Sequence, residues 1–351
     1  MQTILCKITL NSRCIFIATN LQERMINMNV KGIHHLTAMT GSAAHNFKFY
    51  TEVLGMRLVK KTVNQDDTTA YHLFYGDEQG NPGTELTFFD FPNAGPKRAG
   101  VSSISNSSLR VASDAALQYW IERFTEFDVK HAPITEFAGR NVIFFEDAEG
   151  QQLTLVSDET NSVAATGTPW DKSPVPVEYG ITGLGPVRLT VRTPEPTIAA
   201  LQILGFTEKN RVPALVDGQA DIIVMEVGEG GSGAEVYVEP RNDLPAEVQG
   251  IGGVHHVAFR VDDEEELHAW IDKINSTRLP NSGFVERFYF RSLYFREPNG
   301  ILFELATDGP GFATDEPLET LGESLALPPF LEGKRTSIEA NIKPLNTKRT
   351  K

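Results

Sequence analysis

Along most of the chain, apolar and polar residues alternate in short runs with a period of two, the pattern of half-buried strands. One such run opens at Gly32-Ile33-His34-His35-Leu36-Thr37 and another at Gly253-Val254-His255-His256-Val257-Ala258. A segment of helical period follows each. Residues 43–55 carry Phe47, Tyr50, Val53 and Leu54 on one face, with Gly55 as a stop. Residues 262–275 begin with acidic side chains, which suit a helix N-terminus, and carry Leu267, Trp270, Ile271 and Ile274 as their apolar stripe. Both segments return through strands to a Pro/Gly turn, at 80–83 and 297–300, and then to a closing strand, at 84–91 and 301–308.

Two fainter copies of this order lie between them, so β-α-β-β-β recurs over 31–92, 103–158, 183–240 and 252–308. A sheet with a helix on one face must bury the other face against something. Pairing the modules two by two closes each pair into a cupped, barrel-like lobe, an α+β fold. The pattern divides the chain into an N-terminal extension (1–30), a first half of two modules (31–160), a linker (161–181), a second half of two modules (182–310) and a C-terminal segment and tail (311–351). The extension has poor periodicity and contains Cys6 and Cys14. Asn11, Ser12 and Arg13 interrupt its apolar stretch, which argues against a secretory signal. It reads as a dispensable extension or upstream start, with Met25 or Met28 as the natural beginning; a presequence with Lys7, Arg13 and Arg24 is the alternative. Residues 331–351 are polar and basic and read as a mobile tail.

Composition narrows the function classes. The chain has 351 residues, 40% hydrophobic and 22% charged, which is ordinary for a globular protein. No run of 18 apolar residues is present, so no membrane-spanning helix is expected, and the chain reads as cytoplasmic. A net charge of −14 repels phosphate backbones and argues against sequence-independent nucleic-acid binding. With both cysteines in the first 14 residues, the body has neither a disulfide framework nor a thiolate metal site. A buried metal would use histidine and carboxylate.

Four of the eight histidines sit in the two His-His pairs, at equivalent positions of homologous strands. Neighbours on a strand face opposite ways, so one histidine of each pair points inward. Glu304 lies between Phe303 and Leu305 in a closing strand. An unpaired carboxylate there is costly, and either a divalent cation or a core ion pair would resolve the cost. Aligning the closing strands on Gly83 and Gly300 sets Thr87 opposite Glu304, so module one offers no fourth ligand. In modules two and three, Asn106 and Pro186 fall opposite His256, and Thr154 and Val236 or Tyr237 stand where a glutamate would be.

The stretches 32–38, 54–64, 71–89, 252–261 and 289–312 resemble the vicinal-oxygen-chelate superfamily of glyoxalases, fosfomycin-resistance proteins and extradiol dioxygenases. The similarity is closer to the branch of ring-cleaving dioxygenases that act on hydroquinones, and it covers about residues 30–330. It implies metal ligation by His35, His256 and Glu304, with one ion per chain shared by modules one and four. Two histidines and a carboxylate with open positions suit non-haem Fe(II) and oxygen chemistry; Mn(II) fits the same ligands. The resemblance further implies that Tyr294 donates a hydrogen bond near the metal, that Arg287 offsets charge and that His255 serves as acid or base. His34 would orient its neighbour, and His72 and Tyr71 would line the substrate pocket. The implied partners are an aromatic diol and O2, and a homo-oligomer is compatible with the family. Two alternatives remain on the same scaffold: a glyoxalase-like isomerase or lyase, which needs the fourth ligand Thr87 does not supply, and a quinone- or drug-binding resistance protein without turnover.

Overall fold

Strands and helices fall in the four-fold order that the periodicity predicts. The computed structural model describes residues 28–160 and 167–349, so the expectations for residues 1–27 and their cysteines lie outside the described residues. Module one comprises β1 (Ile33–Thr40), a helix at Ala43–Lys48 continued by a wide turn at Phe49–Val53, then β2 (Arg57–Val63), β3 (Tyr71–Gly76) and β4 (Glu85–Asp90). Module two comprises β5 (Ser103–Val111), a helix at Asp114–Glu126, β6 (Thr135–Phe137), β7 (Arg140–Glu146) and β8 (Gln152–Ser157). Module three has β9 (Ile181–Val191), a helix at Pro194–Ile203, β10 (Thr207–Val212), β11 (Ile222–Glu226) and β12 (Glu235–Pro240). Module four has β13 (Val254–Val261), a helix at Glu264–Ser276, β14 (Val285–Glu286), β15 (Arg291–Arg296) and β16 (Leu302–Thr307). Ser42, Ser113 and Asp263 start three of these helices, each side chain accepting a backbone N–H of the first turn.

The strands form two curled eight-stranded mixed sheets. One has the order β14-β15-β16-β13-β1-β4-β3-β2, the other β10-β11-β12-β9-β5-β8-β7-β6. Modules one and four therefore build one lobe, and modules two and three the other. Each lobe centres on an antiparallel pair, β1–β13 or β5–β9, flanked on both sides by a closing strand in parallel register. The helices cover the outer faces; Trp120 and Trp270 are fully buried at equivalent helix positions. Gly32, just before β1, has φ 99°, and a Cβ there would stand 2.8 Å from the Gly233 carbonyl oxygen. Only glycine suits both the left-handed backbone and that close approach.

The C-terminal segment differs from the expected mobile tail. Short helices at Pro329–Glu332 and Arg335–Asn341 bury Leu331 and Ile338, and Ile342 is buried just beyond them. The segment lies along β2, the edge of its sheet: Ala326 N–H donates to the Lys61 carbonyl, Lys61 Nζ to the Leu345 carbonyl and Tyr71 to the Lys343 carbonyl. Covering an exposed strand edge in this way satisfies backbone groups and blocks edge-to-edge pairing. Three well-spaced apolar side chains outweigh a basic average composition. Within the linker, the Trp170 ring lies between the guanidinium groups of Arg57 and Arg349, at 5.8 and 5.1 Å.

Candidate metal centre

The antiparallel register of β1 and β13 pairs His35 with Ala258 and Thr37 with His256. This brings two histidines 221 residues apart onto one inner face, with their Nε2 atoms 3.4 Å apart. Parallel pairing of β16 with β13 sets Glu304 beside Ala258, whose small side chain leaves room for the carboxylate to cross toward them. Glu304 Oε2 lies 3.2 Å from His35 Nε2 and 2.9 Å from His256 Nε2. All three residues are buried. Bonds of about 2.1 Å at right angles to one ion would set the donors about 3 Å apart, close to these separations.

The donor set fits a cation. Glu304 Oε1 accepts a 2.6 Å hydrogen bond from Ser292 Oγ, whereas Oε2 accepts no well-directed one. Burial alone would raise the Glu304 carboxyl, but the adjacent His35 and His256 hold it well below the usual carboxylate range. Among the described residues, its ion-pair partners are those two imidazoles, with no lysine or arginine. A core ion pair would rest on these two imidazoles alone, whereas a divalent ion would satisfy Oε2 and both nitrogens together.

The histidines that precede the ligands set their tautomers. The Thr307 carbonyl can only accept, so His34 Nε2 donates to it at 3.1 Å. Neutral His34 then offers a lone pair at Nδ1, which accepts from His35 Nδ1–H at 3.0 Å. That leaves the His35 Nε2 lone pair facing Glu304. Module four repeats the contact, with His255 Nδ1 and His256 Nδ1 2.8 Å apart. Burial, followed by the neighbouring imidazole, lowers both His34 and His255 to about 3, which keeps them neutral. The Phe290 ring packs 5.2 Å from His35 and 5.6 Å from His34. A second cluster, His34, His35 and Glu85, lies behind the first. Burial pushes the Glu85 carboxyl well above its usual range, and His34 Nδ1 is already occupied by His35, so Glu85 reads as a neutral buried acid.

The triad opens into a cavity of about 310 Å³ whose lining includes His72, Phe74, Phe89, Phe91, His255, Arg287, Phe290 and Tyr294. Arg287 Nε donates to Tyr294 Oη at 3.1 Å, and its two terminal nitrogens meet the Asp66 carboxylate at 3.0 and 3.3 Å. Burial raises the Tyr294 phenol, so it keeps its proton. His72 Nε2 lies 2.9 Å from Thr87 Oγ1, and burial holds the ring neutral.

Of the residues expected at the site, His35, His256, Glu304, His255, Tyr294, Arg287 and His72 converge on this cavity or its metal-binding floor. His34 stands behind His35. Tyr71 does not line the cavity: one step from His72 on β3, it faces the other way and donates to the Lys343 carbonyl at 2.8 Å. Phe74 and Phe89 share a face with His72 and Thr87 by strand alternation, and that signal was available in sequence. Asp66 and Gln65 come from a loop, where no periodicity points to the cavity.

Residues 32–155 and 183–305 each match the pattern of the family described as the Glyoxalase/Bleomycin resistance protein/Dioxygenase superfamily. The chain belongs to this superfamily. Within it, a Bacillus subtilis (strain 168) protein named "Putative ring-cleaving dioxygenase MhqA" is 55% identical over 319 residues, covering 91% of this chain and 100% of its own length. The "Chlorohydroquinone/hydroquinone 1,2-dioxygenase" of Sphingobium indicum is 31% identical over 315 residues, covering 88% of this chain and 95% of its own. A solved Bacillus subtilis structure, titled as a putative dioxygenase, superposes with a TM-score of 0.82 at 35% identity, over 92% of this chain and 100% of that one. Among the described residues, no helix is long and apolar enough to cross a membrane.

Proposed function

We propose that this chain is an Fe(II)-dependent, extradiol-type dioxygenase that opens the ring of a hydroquinone or catechol with O2. The observation that carries the reading is a buried set of two histidines and one glutamate at the floor of an aromatic-lined cavity, with Thr87 rather than a fourth ligand at the register position that mirrors Glu304. His35, His256 and Glu304 would hold the ion. When bound, ferrous iron supplies the one-electron exchange that lets a singlet aromatic ring react with dioxygen.

The protein's own groups bind, orient and move protons. Phe74, Phe89, Phe91 and Phe290 offer faces and edges to an aromatic ring and keep bulk water from it. Tyr294, still protonated and with its oxygen accepting from Arg287, can direct its own proton toward a substrate or dioxygen oxygen. Arg287, fixed between Asp66 and Tyr294, offsets negative charge developing on those oxygens without reorganising. If His256 ligates through Nε2, its Nδ1–H donates to His255, and neutral His255 keeps its proton on Nε2 as a donor beside the cavity.

The test is anaerobic loading with Fe(II), then an oxygen-electrode screen of substituted hydroquinones and catechols. The proposal expects one O2 consumed per ring opened for at least one diol. Reversible diol binding with no oxygen uptake by iron-loaded protein would instead identify a binding protein.

A further inference from the structure

The inner face of β2 continues past the end of the strand. Its register sets Lys60 opposite Phe74 and Thr62 opposite His72, so alternation carries Asn64 onto the same face. The Asn64 N–H donates to the Ala70 carbonyl at 2.9 Å, which extends the ladder by one residue. Asn64 is 9% exposed and lines the metal cavity. The orientation of its carboxamide is fixed. The Asp66 backbone N–H can only donate, so the atom it meets at 2.9 Å is Oδ1, and Nδ2 with its two protons takes the other position. The next two residues are anchored to module four. Gln65 Nε2 donates to the Arg287 carbonyl at 2.8 Å, and the Asp66 carboxylate accepts from the Arg287 guanidinium at 3.0 Å. The contacts that place Arg287 therefore also place Asn64.

Apart from the metal ligand His35, module one gives the cavity five polar side chains, and they differ in what they have left to offer. His72 Nε2 is engaged by Thr87, and Gln65 and Asp66 are held by Arg287. The Thr62 hydroxyl is fully enclosed. Asn64 Nδ2 has no hydrogen-bond partner among the described residues and is not enclosed in that way. An uncommitted donor beside aromatic walls calls for an acceptor on whatever fills the cavity. Its place in the sheet decides which acceptor. β2 is the edge strand, three places from β1, and Asn64 follows its last residue, so the carboxamide belongs to the cavity wall rather than to the metal-binding floor. The oxygens of a 1,2-diol sit on adjacent carbons and can reach one ion together. Those of a 1,4-diol stand at opposite ends of the ring, so when one is at the floor the other points away from it.

We propose that Asn64 is a specificity-determining residue whose Nδ2 donates a hydrogen bond to the ring oxygen of a 1,4-diol that does not reach the metal end. A 1,2-diol, with both oxygens at the metal end, leaves this donor unused. The inference rests on the dioxygenase reading for the identity of the ligand, but its test does not require turnover. The protein is loaded with Co(II), and the dissociation constants of hydroquinone and of phenol, which lacks the second oxygen, are measured by anaerobic calorimetric titration.

Wild type should bind hydroquinone about fivefold more tightly than phenol. In Asn64→Ser the shorter hydroxyl still accepts from the Asp66 N–H, so the turn is kept while the donor is withdrawn from the cavity. The hydroquinone dissociation constant should then rise about fivefold, phenol should move less than about twofold, and metal content should be unchanged. Asn64→Thr keeps the same turn acceptor, should give the same contrast and serves if the serine variant does not load metal. Wild-type binding of the two probes at equal strength, or loss of both or of neither in the variants, overturns the proposal. If iron-loaded wild type consumes no oxygen with any diol while the hydroquinone–phenol contrast holds and vanishes in Asn64→Ser, the dioxygenase reading fails and the Asn64 site stands. Oxygen uptake with no such contrast gives the reverse result.

Discussion

The two lobes share strand order and register but differ in what fills their cups. Register matches His35, His256, Glu304 and Thr87 in the metal lobe to Asn106, Pro186, Tyr237 and Thr154 in the other. Asn106 and Thr154 hydrogen-bond to each other at 2.9 Å. Glu235, a buried carboxylate of that lobe, is held by Arg140 through two 2.8 Å bonds and by Lys209 at 3.0 Å. The space left there is about 10 Å³, against about 310 Å³ in the metal lobe. Each lobe thus buries a carboxylate, but with opposite solutions. Glu235 has fixed cations from the protein, whereas Glu304 has two imidazole lone pairs that need a cation from outside. A buried carboxylate is informative only once its partners are known.

Substitutions at matched positions should separate the lobes. The largest effect is expected from His256→Ala, which should lower ring cleavage by 10³-fold or more, about 4 kcal/mol, in oxygen-uptake assays. Tyr237→Phe, at the counterpart of Glu304, should leave the rate within about twofold. Next comes Arg140→Ala, which leaves Glu235 with Lys209 and the Tyr237 hydroxyl. Breaking a buried pair costs about 3–5 kcal/mol, and the lower end is expected here because Lys209 remains. Urea unfolding should show the loss while one iron per chain is retained; coincident loss of iron would mean that the lobes are not independent.

A smaller change is expected from His34→Phe, which removes the group that fixes the His35 tautomer. Iron affinity, measured by competition with a chelator, should fall about 10–100-fold. The smallest is Tyr71→Phe, which removes one hydrogen bond to the Lys343 carbonyl. Stability should drop by about 1 kcal/mol with kcat/KM unchanged. A changed KM would mean that Tyr71 reaches the cavity after all.

The repeated features were the legible ones. The His-His pairs stood out because they recur at the same place in two modules, and Thr87 and Glu304 could be aligned on turn glycines before any strand was placed. The convergence of ligands 221 residues apart also implied that modules one and four share a sheet, as they do. Sequence reasoning failed where the answer depended on direction or long-range docking. Tyr71 and His72 are neighbours, and strand alternation allows only one of them into the cup. The choice is settled by the fact that His72 shares a face with Phe74 and, across the ladder, Phe89. The C-terminal segment looked mobile because its basic average concealed Leu331, Ile338 and Ile342, whose partners lie far back in the chain. Asp66 holds Arg287 from a loop 221 residues away, and nothing local signals that contact.

The central claim is that His35, His256 and Glu304 together make one cation site per chain and that the site depends on the glutamate. Anaerobic Fe(II) titration with metal analysis after desalting tests it most directly, on wild type and on Glu304→Ala confirmed as folded by circular dichroism. The account predicts one equivalent of iron retained by the wild type and none by the variant. Retention of a full equivalent by folded Glu304→Ala, or of no iron by the wild type, would contradict it.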